Sequence, residues 1–443
     1  VPPLHDPFSQ PLDTDLRLTF DDHGSPTYTL LTDDGRDDRD DDDDLHHNDD
    51  DDDNGGDGGG AASATRIPVD RDLESMLNYL PNVAADAVRA AVATSEAAGE
   101  PLTIVDIKVD VGAPVLLGLA GGAEHELVDA CVGDSLDDFC DKLRGVHFSH
   151  DNRAGISGTL HRVSVMRSRA RTDASAPLAN AIGFTYRVGR ANIGSAHIVH
   201  DLLHAMRKSL ATAGEQPRSL LIVGEPGSGK TTLLRNAIRS VAHDLKLVTV
   251  VVDTSNELGG DGARAHPAIR PARRLMVPVR SDQYVQLREA VQNHTPKVVV
   301  VDELADKREV DAVRTITQRG VAMMATAHGV SLESLLRNAD LVGAVGGTKS
   351  VTLGDKLAES QHRARGAGAS GGGSSSGVRK TRTERAGMPP FSMAIECVSF
   401  DTLVVHHNVS RTIDAILAHA PRRIETRTRE PSGLLRARFT VAR

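Results

Sequence analysis

Eight consecutive residues carry the strongest chemical signal: Gly224-Glu225-Pro226-Gly227-Ser228-Gly229-Lys230-Thr231, with Thr232 directly behind them. They form a complete G-x-x-x-x-G-K-[ST] pattern, and each position has a physical use. The glycines let backbone amides close around an oxyanion, and a helix starting at Lys230 adds unpaired N–H groups and a positive dipole end. Lys230 is long enough to reach the outer phosphates of a nucleoside triphosphate, and the Thr231 hydroxyl suits Mg²⁺.

Carboxylates of the matching kind lie downstream. The apolar run 298–301 ends in Asp302-Glu303. Behind a phosphate loop, Asp302 suits the Mg²⁺ shell, and Glu303 is placed to orient or deprotonate an attacking water. The run 247–252 ends in Asp253-Thr254-Ser255-Asn256-Glu257, so Glu257 is a second candidate for the base. Sequence does not rank the two. A third run, 321–325, ends in Thr326-Ala327-His328, where a hydroxyl or imidazole could sense the γ-phosphate. The loop 259–274 carries Arg264, Arg270, Arg273 and Arg274, which fits an arginine finger, a polyanion contact or an exposed charged face.

The elements that must position these groups are legible in outline. Continuous apolar runs at 220–223, 247–252, 298–301 and 321–325, with a weaker one at 351–353, alternate with helical patterns at 283–294, 309–319 and 331–337. That alternation predicts a parallel sheet covered on both faces, with ligands gathering beyond the carboxyl ends of its strands. Upstream, residues 66–190 read as a smaller α+β domain. Its strand near 102–111 alternates, with Ile107, Val109 and Val111 expected on one face. The last third of that domain holds Arg153, Arg162, Arg167, Arg169, Arg171, Arg187 and Arg190, forks suited to phosphate or to ordinary ion pairs.

The domain expectation is therefore a disordered acidic leader at 1–65, the α+β accessory domain at 66–190, and a connecting helix and hinge at 191–217. The phosphate-loop core follows at 218–360, then a flexible Gly/Ser-rich insertion at 361–380. Strands, a helix and a basic tail of uncertain structure close the chain at 381–443. Residues 1–57 hold 20 Asp and three Arg with no Lys or Glu, so the formal charge of −10 conceals a remainder at +7. The Asp run repels itself and lacks the spaced ligands and Glu of an EF-hand loop, so it reads as a linker. Val1 in place of Met suggests a fragment or a processed form, and the acidic start is unlike a transit peptide.

Several function classes are disfavoured. No apolar run approaches the ~18 residues of a membrane span. Cys131, Cys140 and Cys397 are too few for a disulfide framework or a four-ligand zinc site, and they fit a reducing compartment. The absence of Trp and the scarcity of Tyr and Phe argue against a base-stacking platform. His200-Asp201-Leu202-Leu203-His204 imitates a zinc H-E-x-x-H helix, but Asp is one methylene short of the usual base and no third ligand is evident. These histidines are expected on the wet face of the connecting helix. No acceptor or lid motif supports a small-molecule kinase.

The ordered set of motifs resembles one family. The phosphate loop, VVDTSNELGGDG, HPAI, VVVVDE, TAHG and SVTLGD, with DNRAGISGTLHRVS and YRVGR upstream, looks like the stage III sporulation protein AA-like ATPases. It is most similar to their relatives encoded by a conserved chloroplast and cyanobacterial open reading frame. The resemblance spans roughly residues 66–425. It implies a RecA-like α/β P-loop core related to hexameric secretion motors, hence ATP and Mg²⁺ as cofactors and assembly into a homo-oligomeric ring. It also implies an N-terminal accessory domain and a chloroplast location. It carries nucleotide roles onto residues 224–232, Asp302, Glu303 and His328, and an acidic-box role onto Glu257. Some relatives add a C-terminal single-strand nucleic-acid module marked by Arg-x-x-x-His, a signature that the C-terminal stretch to Arg443 does not carry. The alternative function is a nucleotide-gated nucleic-acid-binding protein with little hydrolysis, motivated by the +7 remainder and the Arg-rich tail.

Overall fold

The computed structural model describes residues 12–31, 69–100, 102–133, 136–149, 152–168, 178, 180–191, 194–277, 279–352 and 381–442. Two short strands come first, β1 (Asp15–Phe20) and β2 (Pro26–Leu30). They pair antiparallel, and Leu16, Leu18 and Tyr28 are buried.

The N-terminal domain follows. Helices α1 (Val69–Leu77) and α2 (Asn82–Ala97) precede strands β3 (Ile104–Asp110), β4 (Pro114–Leu119) and β5 (Glu124–Cys131). Helix α3 (Asp137–Lys142) leads to β6 (Arg153–Gly155), β7 (Arg162–Arg167) and β8 (Ala181–Arg187). The six strands form one antiparallel sheet in the order β5-β4-β3-β8-β7-β6. Period-two alternation directs Ile107 and Val109 of β3 to the same core as Val115, Leu117, Val163, Val165, Phe184 and Tyr186. Val111, expected on that face, lies past the end of β3 and is exposed.

A short 3₁₀ turn (Ser195–Val199) enters α4 (His200–Ala211), and the nucleotide core begins with β9 (Leu220–Gly224) and α5 (Lys230–Arg239). Next come β10 (Thr249–Asp253), β11 (Arg273–Met276), α6 (Gln283–His294), β12 (Val298–Leu304), α7 (Lys307–Gln318), β13 (Ala322–His328) and α8 (Leu332–Leu336). Among the described residues, strands β14 (Thr348–Thr352) and β15 (Thr381–Arg385) pair only with each other. The chain then forms β16 (Met393–Cys397), β17 (Thr402–His406), α9 (Val409–Ala418), β18 (Arg422–Arg429) and β19 (Leu435–Ala442).

One sheet of eleven strands organises this part, in the order β11-β10-β12-β13-β9-β16-β17-β18-β19-β1-β2. From β11 to β16 every pairing is parallel; beyond β16 every pairing is antiparallel. Both faces are covered, which is why β9, β10 and most of β12 and β13 read as continuous apolar runs. Alternate residues serve opposite cores. Leu220 and Ile222 pack with α4 and α5, whereas Leu221 and Val223 pack with α7, α8 and α9. This is the α/β arrangement that the motif order implies.

Three expectations are corrected. Residues 12–31 are not a disordered leader, because Leu16, Leu18 and Tyr28 close the end of the core sheet and Asp15 pairs with Arg438 at 2.6 Å. The Asp-rich stretch 33–60 and the Gly/Ser-rich stretch 361–380 lie outside the described residues. The C-terminal segment is not a unit apart from the core, since β16 pairs in parallel with β9 itself. Of the weak run at 351–353, the described residues Val351 and Thr352 belong to the small β14-β15 ribbon and not to the main sheet.

The basic tail is equally absorbed. Arg427 has no exposed surface and grips Asp201 with both terminal nitrogens at 2.7 and 2.8 Å, while its Nε donates to Glu425 at 2.7 Å. Glu425 also accepts from the Tyr28 hydroxyl at 3.0 Å and meets His407 at 2.7 Å. Arg429 faces Asp401, and Arg436 faces Glu430. The arginines that motivated a nucleic-acid reading are thus largely engaged by carboxylates of the same chain. The histidines of α4 are half-buried and not on an open wet face: Phe20 packs on His200, and Gly24 on His204. No group of three or more His, Cys, Asp or Glu among the described residues is arranged to hold a metal.

Candidate nucleotide site

The phosphate loop leaves the carboxyl end of β9, which is central in the sheet. Gly224 stands opposite His328 of β13 on one side and Cys397 of β16 on the other. A Cβ at Gly224 would come within 2.5 Å of Ser228 Oγ and 2.9 Å of the Cys397 carbonyl. Gly229, at φ +96°, caps α5 in a left-handed conformation that side chains avoid. Sequence reasoning missed one wall of this loop: Phe400, in the β16–β17 turn, lies against Gly229, and Arg429 stacks above its ring. Only tertiary pairing of β16 with β9 brings that turn here.

Lys230 folds back over the loop and donates to the carbonyls of Gly224 at 2.8 Å and Glu225 at 2.7 Å. Burial pushes its ammonium pKa down, against the opposing pull of Cys397, Glu303, Glu225 and Glu257. Ser228 Oγ is buried without any hydrogen-bond partner among the described residues. An orphaned hydroxyl beside a lysine and a helix start is what an oxyanion would satisfy.

Asp302 is almost fully buried at the end of β12, and no hydrogen bond supports its carboxylate among the described residues. Burial holds its pKa well above the usual range, and the negative charges of Asp253, Glu257 and Glu303 raise it further. A cation beside Asp302 would reverse that. One carboxylate and the Thr231 hydroxyl, completed by phosphate oxygens and water, match the way Mg²⁺ is held in such sites. The donor set therefore fits the ion.

Glu303 is held from three directions. Gln283 Nε2 donates to its carbonyl at 2.7 Å, while Arg280 Nη2 and His328 Nε2 approach its carboxylate at 3.3 and 3.5 Å. Thr254 donates to Gln283, so the end of β10 is tied to the end of β12. Arg280 carried no signal in the sequence, because it lies outside every motif and reaches Glu303 only through the turn that starts α6. Glu257 is different: its side chain is exposed, and its carbonyl accepts from Arg235 Nη2 at 2.5 Å. Asp253 is structural, accepting from the amides of Leu258 and Gly259 at 3.3 and 2.8 Å.

The loop at 259–274 does not offer its arginines uniformly to a ligand. Arg274 is turned inward and donates to the carbonyls of Gly259, Gly260 and Gly262. The loop it shapes interlocks with the N-terminal domain. Asp261 accepts from the Gly155 amide at 3.0 Å through its carboxylate and from the Gly158 amide at 3.1 Å through its carbonyl. Arg235 of α5 joins the same assembly by donating to Leu258 and to Arg190, and Arg190 donates onward to Ile104 of β3. The phosphate-loop helix, the acidic loop and the N-terminal domain thus share one hydrogen-bonded path. Of the upstream arginines, Arg167 holds Asn152 at 2.8 Å, and Arg169 and Arg171 lie outside the described residues.

Comparison with known proteins follows the same lines. Residues 180–348 match the family described as Sporulation stage III, protein AA. The chain is 37% identical over 351 residues to the uncharacterized protein ycf45 of Porphyra purpurea, covering 79% of this chain and 54% of that protein. It is 36% identical over 367 residues to Protein SEEDLING PLASTID DEVELOPMENT 1 of Arabidopsis thaliana, covering 80% of this chain and 46% of that protein. It therefore spans about half the length of these two relatives. The uncharacterized protein ycf45 of Cyanidium caldarium is 34% identical over 278 residues, 63% of this chain and 72% of that protein. Among solved structures, the pilus retraction motor PilT with bound ADP aligns at 18% identity and a TM-score of 0.40, over 59% of this chain and 77% of that one. From the motif set and these relatives, the chain belongs to the stage III sporulation protein AA-like family, with the ycf45 proteins among its kin.

Proposed function

We propose that this protein is a Mg²⁺-dependent ATPase that hydrolyses ATP to ADP and phosphate and passes the resulting change of shape to its N-terminal domain. The observation that carries the reading is an unsatisfied Ser228 hydroxyl and a desolvated Lys230 in the phosphate loop, together with a buried Asp302 at the end of β12 whose burial and acidic neighbours outweigh the pull of Arg235. Residues 224–232 bind the phosphates, with Lys230 leaving its carbonyl partners for phosphate oxygen. Thr231 and Asp302 hold Mg²⁺, which supplies charge neutralisation at the phosphates when bound. Glu303 accepts the proton of the attacking water, because Arg280 and His328 stand beside its carboxylate whereas the Glu257 side chain is exposed. His328, opposite Gly224, senses the phosphate end.

Output runs from α5 through Arg235 to the loop 257–262 and on to residues 155–159. Assembly into a ring, hexameric as in the motor relatives, and a plastid location belong to the same reading; the plastid assignment is supported by the names of the relatives. Sedimentation of a fully active monomer would sink the ring. The deciding experiment is steady-state ATPase on the protein and on Lys230→Ala, Glu303→Gln and Glu257→Gln, with nucleotide binding measured in parallel. Glu303→Gln should bind ATP and fail to turn it over. The same result for Glu257→Gln alone would move the base to Glu257.

A further inference from the structure

Arg280 sits in the 3₁₀ turn Arg280–Asp282 that opens α6, outside the phosphate loop and outside every strand end that faces it. Its guanidinium meets Glu303 at Oε1, 3.3 Å away, and His328 Nε2 meets the same oxygen at 3.5 Å. Two basic side chains beside one carboxylate restrict the orientations that it adopts. An isolated exposed ion pair would be worth little. This one is not isolated, because three further contacts fix both of its ends.

Gln283, three residues along from Arg280 and fully buried, donates to the Glu303 carbonyl at 2.7 Å. Thr254 donates to Gln283 from the end of β10. Val277, just before the turn, donates to the Asp253 carbonyl at 3.3 Å. The turn bearing Arg280 is therefore registered against the ends of β10 and β12, the two strands that carry the acidic groups of the site.

We propose that Arg280 is a positioning residue for Glu303. It restrains the Glu303 carboxylate from the side of α6 while His328 stands beside the same carboxylate from β13, so that the base keeps its orientation toward the attacking water. This rests on the ATPase reading with Glu303 as base. Arg280 touches neither phosphate nor metal in this role, so its effect must fall on turnover and not on nucleotide binding.

The test uses the full chain with Arg280→Gln, Arg280→Lys, Glu303→Gln and the double variant Arg280→Gln/Glu303→Gln. ATP turnover, KM and nucleotide Kd are measured, with thermal midpoints to confirm folding. Arg280→Gln should lower kcat about tenfold while KM and Kd stay within about twofold, the pattern of a misaimed group and not of a lost binding contact. Arg280→Lys, which keeps the cation, should recover part of the loss. In the Glu303→Gln background the Arg280 change should alter residual turnover by less than about twofold, because the group it aims is gone.

Unchanged kcat in Arg280→Gln overturns the proposal, as does an equal loss in the Glu303→Gln background or a loss confined to KM. Those results leave the ATPase reading standing. A wild type without turnover, or a Glu303→Gln variant with full turnover, overturns that reading and this proposal together.

Discussion

Replacing Gly260 with alanine tests the joint between the two domains directly. Gly260 has φ +72°, and a Cβ there would lie 2.0 Å from the carbonyl oxygen of Thr159, on the N-terminal domain. The left-handed conformation alone costs an L-residue roughly 1–2 kcal/mol. The overlap adds more, because the obstructing atom is backbone and cannot rotate away. Against this stand the contacts that hold the joint. The charge-assisted bond from the Gly155 amide to the Asp261 carboxylate is worth about 1.5–3 kcal/mol, and the bond from the Gly158 amide to the Asp261 carbonyl about 0.5–1.5 kcal/mol. A Cβ that far inside van der Waals contact outweighs the pair, so the joint should open while each domain stays folded around its own core.

Hydrogen exchange reads this residue by residue: the amides of Gly155 and Gly158 should lose protection, while those of β9 and β12 keep theirs. Gly214→Ala is the control, since Gly214 has φ +80° but nothing within 4 Å of a Cβ. It should pay the conformational cost without touching the joint. If Gly155 and Gly158 remain protected in Gly260→Ala, the interlock is not what holds the domains together and the coupling path drawn through it is wrong.

Three further outcomes follow from the geometry. Ser228→Ala should leave the fold as stable as before, because it removes an orphaned hydroxyl, yet weaken nucleotide binding several-fold, as equilibrium titration with a fluorescent nucleotide would reveal. Arg427→Met strands Asp201 and Glu425 in the interior and should destabilise the core by about 3–5 kcal/mol, measured by denaturant unfolding. Acid should destabilise the contact between α4 and the β1-β2 pair. Burial, reinforced by His204 and His197, pushes the His200 pKa down from 6.5 to about 4, so the fold favours the neutral imidazole. Its contribution is complete above pH 6.5 and is lost as pH falls toward 4, where the unfolded chain takes up a proton that the folded chain refuses. Because His200 is only partly buried, solvent screening holds the loss to roughly 1–2 kcal/mol, and a His200→Gln variant should show a flatter melting-temperature profile across that window.

The phosphate loop, the strand-end carboxylates and the parallel core were all legible from residue type and spacing. Their determinants are local: a glycine pattern tied to left-handed turns, and runs of β-branched residues that only a doubly covered strand can bury. Composition misled where it averaged over structure. The Asp-rich beginning of the chain hides an alternating segment around Leu16 and Leu18 that a sheet edge can use, and the Arg-rich end hides side chains whose carboxylate partners lie hundreds of residues away in sequence.

By itself, then, the sequence specified the candidate chemistry, namely a glycine-rich loop suited to phosphate, a strand-end carboxylate suited to a metal ion and two candidate bases. Tertiary structure decided which groups meet. It brought Cys397 and Phe400 beside the loop, set Arg280 and His328 on one oxygen of Glu303, and turned the GGDG loop into a joint with the N-terminal domain. The physical reason is that strand pairing and interdomain contact join residues far apart in the chain, and no local pattern encodes a partner that only the folded sheet brings within reach.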